Sequence, residues 1–209
     1  MCMERKQHWD EVYAQKAEDA VSWFQSRPGI SLDLIAAAGL QKSDAIIDVG
    51  GGASRLVDGL LADGFTDVTA LDIAAAALQK SRARLEKDAD KVHWIVADIV
   101  GWLPARRYRL WHDRAVFHFL TEPADRLAYR RALEAGLAPD GTAIIASFAP
   151  DGPERCSGLP VRRYSADTLV AELGPRFRLL ERRAEAHTTP AGKLQHFQYS
   201  VFGFQTGTS

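Results

Sequence analysis

Three aspartates occupy matching places along the chain. Asp48 lies in the apolar run Ala45 to Val49 just ahead of Gly50-Gly51-Gly52, Asp72 ends the run Val68 to Asp72, and Asp98 follows the run Val92 to Ala97. An ionised carboxylate only accepts hydrogen bonds, so each suits neighbouring hydroxyls or an amine on a ligand. The glycines add the other half of a binding floor: they carry no Cβ to collide with a ligand, and the helix start beyond them leaves N–H groups unpaired. Such a strand-glycine-helix junction suits a nucleotide. A second group of reactive types sits in Trp111-His112-Asp113-Arg114-Ala115-Val116-Phe117-His118-Phe119-Leu120. Histidine titrates closest to neutrality, so His112 or His118, or the carboxylate of Asp113, is a candidate base for an amine. The cation of Arg114 with His118 suits an acidic nucleophile such as a thiol.

These groups act together only if the chain brings their strands side by side. Apolar periodicity with glycine and proline punctuation predicts helices over Glu4 to about Ala20 and Ile30 to Ala38. It then predicts strands over Ala45 to Val49, Asp67 to Leu71, Val92 to Val96, Tyr108 to His112 and Thr142 to Phe148. Helices from about Ser54 to Ala62, Ala74 to Glu86 and Pro123 to Leu137 alternate with these strands, the last stopped by Pro139-Asp140-Gly141. Alternation of this kind builds a parallel sheet with helices on both faces, in which the carboxyl ends of the strands share one crevice. The last quarter differs. Arg176 to Ala184 and His196 to Phe204 read as strands joined by a loop with Pro190 and Gly192, which is an antiparallel hairpin. The expected fold is therefore α/β, doubly wound and Rossmann-like, with a mostly parallel seven-stranded sheet and an antiparallel C-terminal strand.

A dinucleotide fingerprint would place a third glycine where Arg55 stands, which speaks against NAD. With Asp48, Gly50, Gly52 and Ser54 the chain instead resembles the class I S-adenosylmethionine-dependent methyltransferases, whose first motif is an acid, a glycine, any residue, a glycine, any residue and a small residue. The resemblance implies S-adenosylmethionine as cofactor and S-adenosylhomocysteine as product. It assigns Asp72 to the ribose, Asp98 to the adenine edge and Asp48 to the loop or the amino-acid tail, with Ile73 and Ile99 beside the two acids as further cofactor-binding residues. It also implies a lid: Trp23 and Phe24, in an aromatic-rich N-terminal segment with Trp9 and Tyr13, would close over the cofactor and face its sulfonium. Asp113-Arg114-Ala115 is similar to the Asp-Arg-Gly segment of the thiopurine or thiol methyltransferases, with alanine for glycine. Asp125-Arg126 and the loop Ala149 to Pro153 extend that likeness. Asp113, Arg114 and His118 are accordingly the expected catalytic residues and a small soft nucleophile the expected acceptor. A protein lysine methyltransferase is the alternative, on His8-Trp9-Asp10 and a looser likeness to an Asp-Lys-Gly segment; a nucleotide-binding module without catalysis is the alternative of another class.

Composition narrows the partners. The 209 residues are 46% hydrophobic and 25% charged with a formal net charge of −1, so no broad positive field attracts nucleic acid or an anionic membrane. One domain over 1–209 is expected, with residues 1–40 as a helical lid or accessory segment and 41–209 as the sheet core. Two cysteines, Cys2 and Cys156, make no disulfide framework, and neither an apolar leader nor a long apolar span is evident, so the expected location is cytoplasmic. The histidines lack ligand spacing, and no metal site is expected.

Overall fold

The computed structural model describes residues 2–205, with side chains from Glu4 onward; Met1 and 206–209 of the expected unit, and the Cys2 side chain, lie outside the described residues. In chain order the helices are α1 (Cys2–Gln15), α2 (Gly29–Ala37), α3 (Leu56–Ala62), α4 (Ala75–Leu85), α5 (Pro123–Gly136) and α6 (Ala166–Leu173). The strands are β1 (Ile46–Val49), β2 (Val68–Asp72), β3 (Val92–Val96), β4 (Tyr108–Arg114), β5 (Leu137–Phe148), β6 (Arg155–Cys156), β7 (Leu159–Pro160), β8 (Phe177–Thr188) and β9 (Leu194–Phe204). Seven of these form one sheet in the order β3-β2-β1-β4-β5-β9-β8, while β6 and β7 make a small separate hairpin. Strands β1 to β5 pair in parallel, and β9 runs antiparallel to both β5 and β8. The chain winds outward from β1 to β3 and then returns to β4 on the other side of β1, so the crevice opens where the winding reverses.

Successive residues of a strand point to opposite faces, and the inner strands β1, β2 and β4 are buried on both, which explains their continuous apolar runs, while the edge strand β8 alternates with exposed residues. Ile46, Val68, Leu110 and Ile144 pack with Leu32 and Ile35 of α2 and Leu56 and Leu60 of α3 on one side. Ile47, Val49, Trp111 and Ile145 pack with Tyr129 and Leu133 of α5 and Leu169 and Leu173 of α6 on the other. A third, smaller cluster joins Tyr13 of α1 to Ala53, Ala74 and Ala77, beneath Trp9 and Trp23.

The boundaries depart from the sequence reading in instructive places. The first helix stops at Gln15, and a single 3-10 turn, Glu18–Ala20, takes up the rest of the predicted span. The expected break at Pro139-Asp140-Gly141 is an irregularity inside β5, whose pairing with β4 jumps from Tyr108↔Leu137 to Leu110↔Thr142. Helix α6 and the β6–β7 hairpin were not anticipated; α6 is short and its start rests on one capping box between Ser165 and Thr168. Among the described residues no helix is long and apolar enough to cross a membrane, and no group of side chains has the makings of a metal site.

Candidate active site

Strand register decides which side chains share the crevice. Asp48 of β1 lies opposite His112 of β4, and Val49 opposite Asp113, so Asp48 and His112 project together and Asp113 projects to the other face. His112 Nδ1 donates to Asp48 Oδ1 at 2.7 Å, and His112 Nε2 meets Ser31 Oγ of α2 at 2.9 Å. The second carboxylate oxygen of Asp48, Oδ2, is buried without a hydrogen bond.

Beyond β1 the chain turns through Gly50 and Gly52, both in the left-handed region with φ of 71° and 46°. A Cβ at Gly50 would stand 2.0 Å from Val116 Cγ2, so both the conformation and the space demand glycine there. Helix α4 pins the loop from below: Ser81 Oγ donates to the Gly52 carbonyl, and Arg84 donates to the Ser54 carbonyl while pairing with Asp58 and Glu18. Ser54 Oγ accepts from the Leu56 amide at the start of α3.

Asp72 ends β2 with Oδ1 accepting from the Ala74 amide at 2.8 Å. Burial pushes its carboxyl up to about 7, with the neighbouring Asp48 charge adding to the effect. Its close neighbour Tyr13 has its phenol pushed up by burial and then by the Asp72 charge. Asp98, two residues past β3, accepts from the Val100 amide through Oδ1. Arg5 of α1 approaches Asp98 Oδ2 to 3.4 Å without hydrogen-bond geometry, so that buried oxygen also lacks a hydrogen bond.

A cleft runs along these strand ends. One arm is lined by Asp72, Ile73, Asp98 and Ile99 below and by Trp9, Tyr13 and Trp23 above, with Cys156 of β6 also on its wall. The other arm is lined by Asp48, Gly50, Ser54, Arg55 and His112, with Trp23 and Phe24 of the N-terminal segment against them. Trp23 and Arg114 line both arms. Arg114 is fully engaged: Nε donates to Tyr199 Oη at 2.9 Å, one terminal nitrogen to the Trp23 carbonyl, the other to Glu185 at 3.2 Å, and its plane lies over Phe197.

Of the expected site residues the cleft therefore gathers Trp23, Phe24, Asp48, Gly50, Ser54, Asp72, Ile73, Asp98, Ile99 and Arg114, with Gly52 just beneath Tyr13 and Asp72. Two expected catalytic residues stand elsewhere. Asp113, on the opposite face, accepts from the Val116 and Phe117 amides and from Tyr129 Oη at 2.7 Å, and burial raises its carboxyl to about 6. It closes the turn after β4 and does not reach the cleft. His118 is wholly buried among Phe119, Phe148 and Phe197; its Nδ1 accepts from the Phe148 amide, and burial, then Arg114, lowers it to about 3. It is a neutral core histidine rather than a base. His187 donates from Nε2 to the Ser22 carbonyl and His196 pairs with Asp151 at the surface. The residues that sequence reasoning did not place here, Ser31 and Arg55 along the cleft and Glu185 and Tyr199 behind Arg114, carry no local signal, since only the folded chain brings them together.

Residues 46–141 match the family model described as a methyltransferase domain. The matched stretch is a class I methyltransferase domain, and the enzyme uses S-adenosylmethionine. The methyltransferase shares its fold with the 1,6-didemethyltoxoflavin-N1-methyltransferase of Burkholderia thailandensis, at 19% identity and a TM-score of 0.76, over 99% of this chain and 91% of that one. It also resembles the N-methyltransferase NodS of Bradyrhizobium japonicum, at 14% identity and a TM-score of 0.70, over 94% and 98% of the two chains. A third similar structure, solved in work on the conversion of a disulfide bond into a thioacetal group during echinomycin biosynthesis, is 20% identical with a TM-score of 0.77, over 98% and 94%. No curated protein sequence matches the methyltransferase. Its cleft suits the cofactor chemically: two buried carboxylate oxygens without a hydrogen bond, on Asp48 and Asp98, and a third acid at Asp72 suit a ligand rich in hydroxyl and amine donors.

Proposed function

We propose that the methyltransferase acts on a small soft nucleophile, a thiol or a related group, held beside Arg114 under an N-terminal lid. In this reading Asp72 receives the ribose hydroxyls, Asp98 with Ile99 and Ile73 frames the adenine, and Asp48 with the glycine loop takes the amino-acid tail. Trp23 and Phe24, midway along the 1–40 segment, exclude water from the sulfonium and offer it their ring faces. The cofactor supplies an electrophilic methyl on a sulfonium carbon. The protein's own work is to hold the acceptor in line with that carbon, to keep water out and to leave the acceptor in its nucleophilic state.

One observation carries the choice of acceptor. The one histidine along the cleft among the described residues, His112, has both ring nitrogens bonded. An ammonium acceptor needs a base there, whereas a thiol needs only a cation to favour its thiolate, and Arg114, although it shares its charge with Glu185, lines both arms of the cleft to serve as one. The roof of Trp9, Tyr13 and Trp23 favours a compact acceptor over a polypeptide, which needs an open groove. Two of the similar structures are named as N-methyltransferases, so amines belong in the test.

Methyl-labelled S-adenosylmethionine, offered with a panel of thiols, chalcogen anions and amines and separately with a cell lysate, separates the readings. Label in small thiol products, with turnover lost in Arg114→Ala while cofactor affinity holds, is the expected result. Label on protein bands, or on amines alone, overturns the acceptor assignment.

A further inference from the structure

A chain of three buried polar side chains runs from α2 through β4 to β1. Ser31, His112 and Asp48 are exposed by 0%, 2% and 2%, and the two links between them measure 2.9 and 2.7 Å. Direction follows from chemistry: the carboxylate accepts, so the hydrogen sits on His112 Nδ1, and Nε2 is left to accept from the Ser31 hydroxyl. Both ring nitrogens are thereby spent in fixing one oxygen of Asp48. Its other oxygen, Oδ2, is buried without a donor and stands 2.8 Å from where a Cβ on Gly51 would sit. A buried acceptor left unmatched is a cost that a native structure seldom carries without a use. The same arm of the cleft holds the opposite charge: Arg55 is bound through one terminal nitrogen to Glu18 at 2.7 Å, while its Nε is also buried without a partner. One unmatched acceptor and one unmatched cationic donor in one small space complement a zwitterion.

Resting on the cofactor placement proposed above, we infer that His112 is a positioning residue that, backed by Ser31, locks the Asp48 carboxylate so that Oδ2 faces the α-ammonium of the amino-acid tail. His112 acts through Asp48 and does not touch the acceptor. Without this brace the carboxylate turns about its own bond and the ammonium loses a fixed partner, while the adenosine end of the cleft, formed by other strands, is unaffected.

The test uses two probes that differ in the tail: S-adenosylhomocysteine, which has it, and 5′-methylthioadenosine, which keeps the adenosine and sulfur but lacks the ammonium and carboxylate. His112→Phe keeps a flat ring and removes both hydrogen bonds. By calorimetry it is expected to weaken S-adenosylhomocysteine roughly tenfold, the scale of a charged hydrogen bond, and 5′-methylthioadenosine by less than about twofold. His112→Asn places an amide nitrogen at the branch where Nδ1 sits, so it restores most of the lost affinity, a rescue that a role in packing alone would not give. Ser31→Ala, which barely changes volume, shifts affinity in the same tail-dependent way and replaces His112→Phe if that variant does not fold. Equal losses for both probes, no loss for either, or an asparagine variant as weak as phenylalanine overturns the inference. A wild-type protein that binds neither probe overturns the cofactor placement itself.

Discussion

In the cofactor placement proposed above, Asp72 accepts the ribose hydroxyls as a carboxylate in a place that burial makes hostile to charge. Its carboxyl stands at about 7 against an ordinary 3.8, so between those values the folded protein keeps a proton that the unfolded chain has given up. Stability of the free protein from this group is therefore full below about pH 4 and falls as pH rises toward 7, by a few kcal/mol in order of magnitude. Asp113, at about 6, acts in the same sense, and His118, at about 3, in the opposite one, because a histidine buried neutral loses stability as pH falls below 6.5. Asp72→Asn isolates one contribution: its urea stability should gain on the wild type as pH rises from 5 to 8. Over the same range the wild type should bind S-adenosylhomocysteine more tightly as the acceptor ionises, while Asp72→Asn stays flat and weaker by about 1–3 kcal/mol at the upper end. Parallel pH profiles for the two proteins would remove Asp72 from the ribose site. At this scale the strand-tip acids were legible because the pattern of apolar run and carboxylate occurs three times. Asp113 and His118 were not, because a strand residue's face depends on phase. His112, Asp113 and Arg114 are consecutive, so one or two of them had to turn away, and only the pairing of Val49 with Asp113 says which.

The turn after β4 raises the same question for a whole element. The sequence likeness puts a glycine where Ala115 stands, and the folded chain does hold Ala115 in the left-handed region at φ 74°, its amide bonded to the Ala146 carbonyl. The turn survives because Asp113 holds the next two amides from below, so the strain is borne by neighbouring hydrogen bonds. Alanine tolerates that conformation at a cost; a β-branched residue does not. Ala115→Gly should change stability by no more than about 1 kcal/mol, since relief of strain is offset by freedom gained in the unfolded chain and by a lost methyl contact. Ala115→Val should cost about 2 kcal/mol or more in urea unfolding and displace the wall of the cleft. Equal stabilities for the two variants would mean the turn relaxes out of the left-handed region. Elements with long apolar runs were readable from periodicity alone. Helix α6 was not: it has eight residues, is flanked by the irregular segment after β5, and announces itself only through Ser165 and Thr168.

Across the whole molecule the site is closed by the two ends of the described chain. The segment between α1 and α2 is tied down three times, twice by the C-terminal ribbon and once by β4: Ser22 to His187, Gln25 to Glu185, and the Trp23 carbonyl to Arg114, which itself rests on Glu185 and Tyr199. Glu18 adds a tie to Arg55 and Arg84 beside the glycine loop. The terminal hairpin could be read from the sequence, but not its grip on this segment, because the partners lie 160 and 165 residues apart and no local pattern links them. Glu185 is the shared member, accepting from Gln25, Arg114 and Tyr199. Replacing its charge leaves the Arg114 guanidinium buried with weaker partners and should loosen the segment selectively. Glu185→Gln is therefore expected to speed amide hydrogen exchange across residues 16–28 several-fold, with no change in β1 or β4. If the segment is a lid, S-adenosylhomocysteine should slow that exchange in both proteins, and more in the variant, where there is more motion to suppress. Exchange over 16–28 that ignores both the substitution and the ligand would make the segment a fixed wall of the cleft.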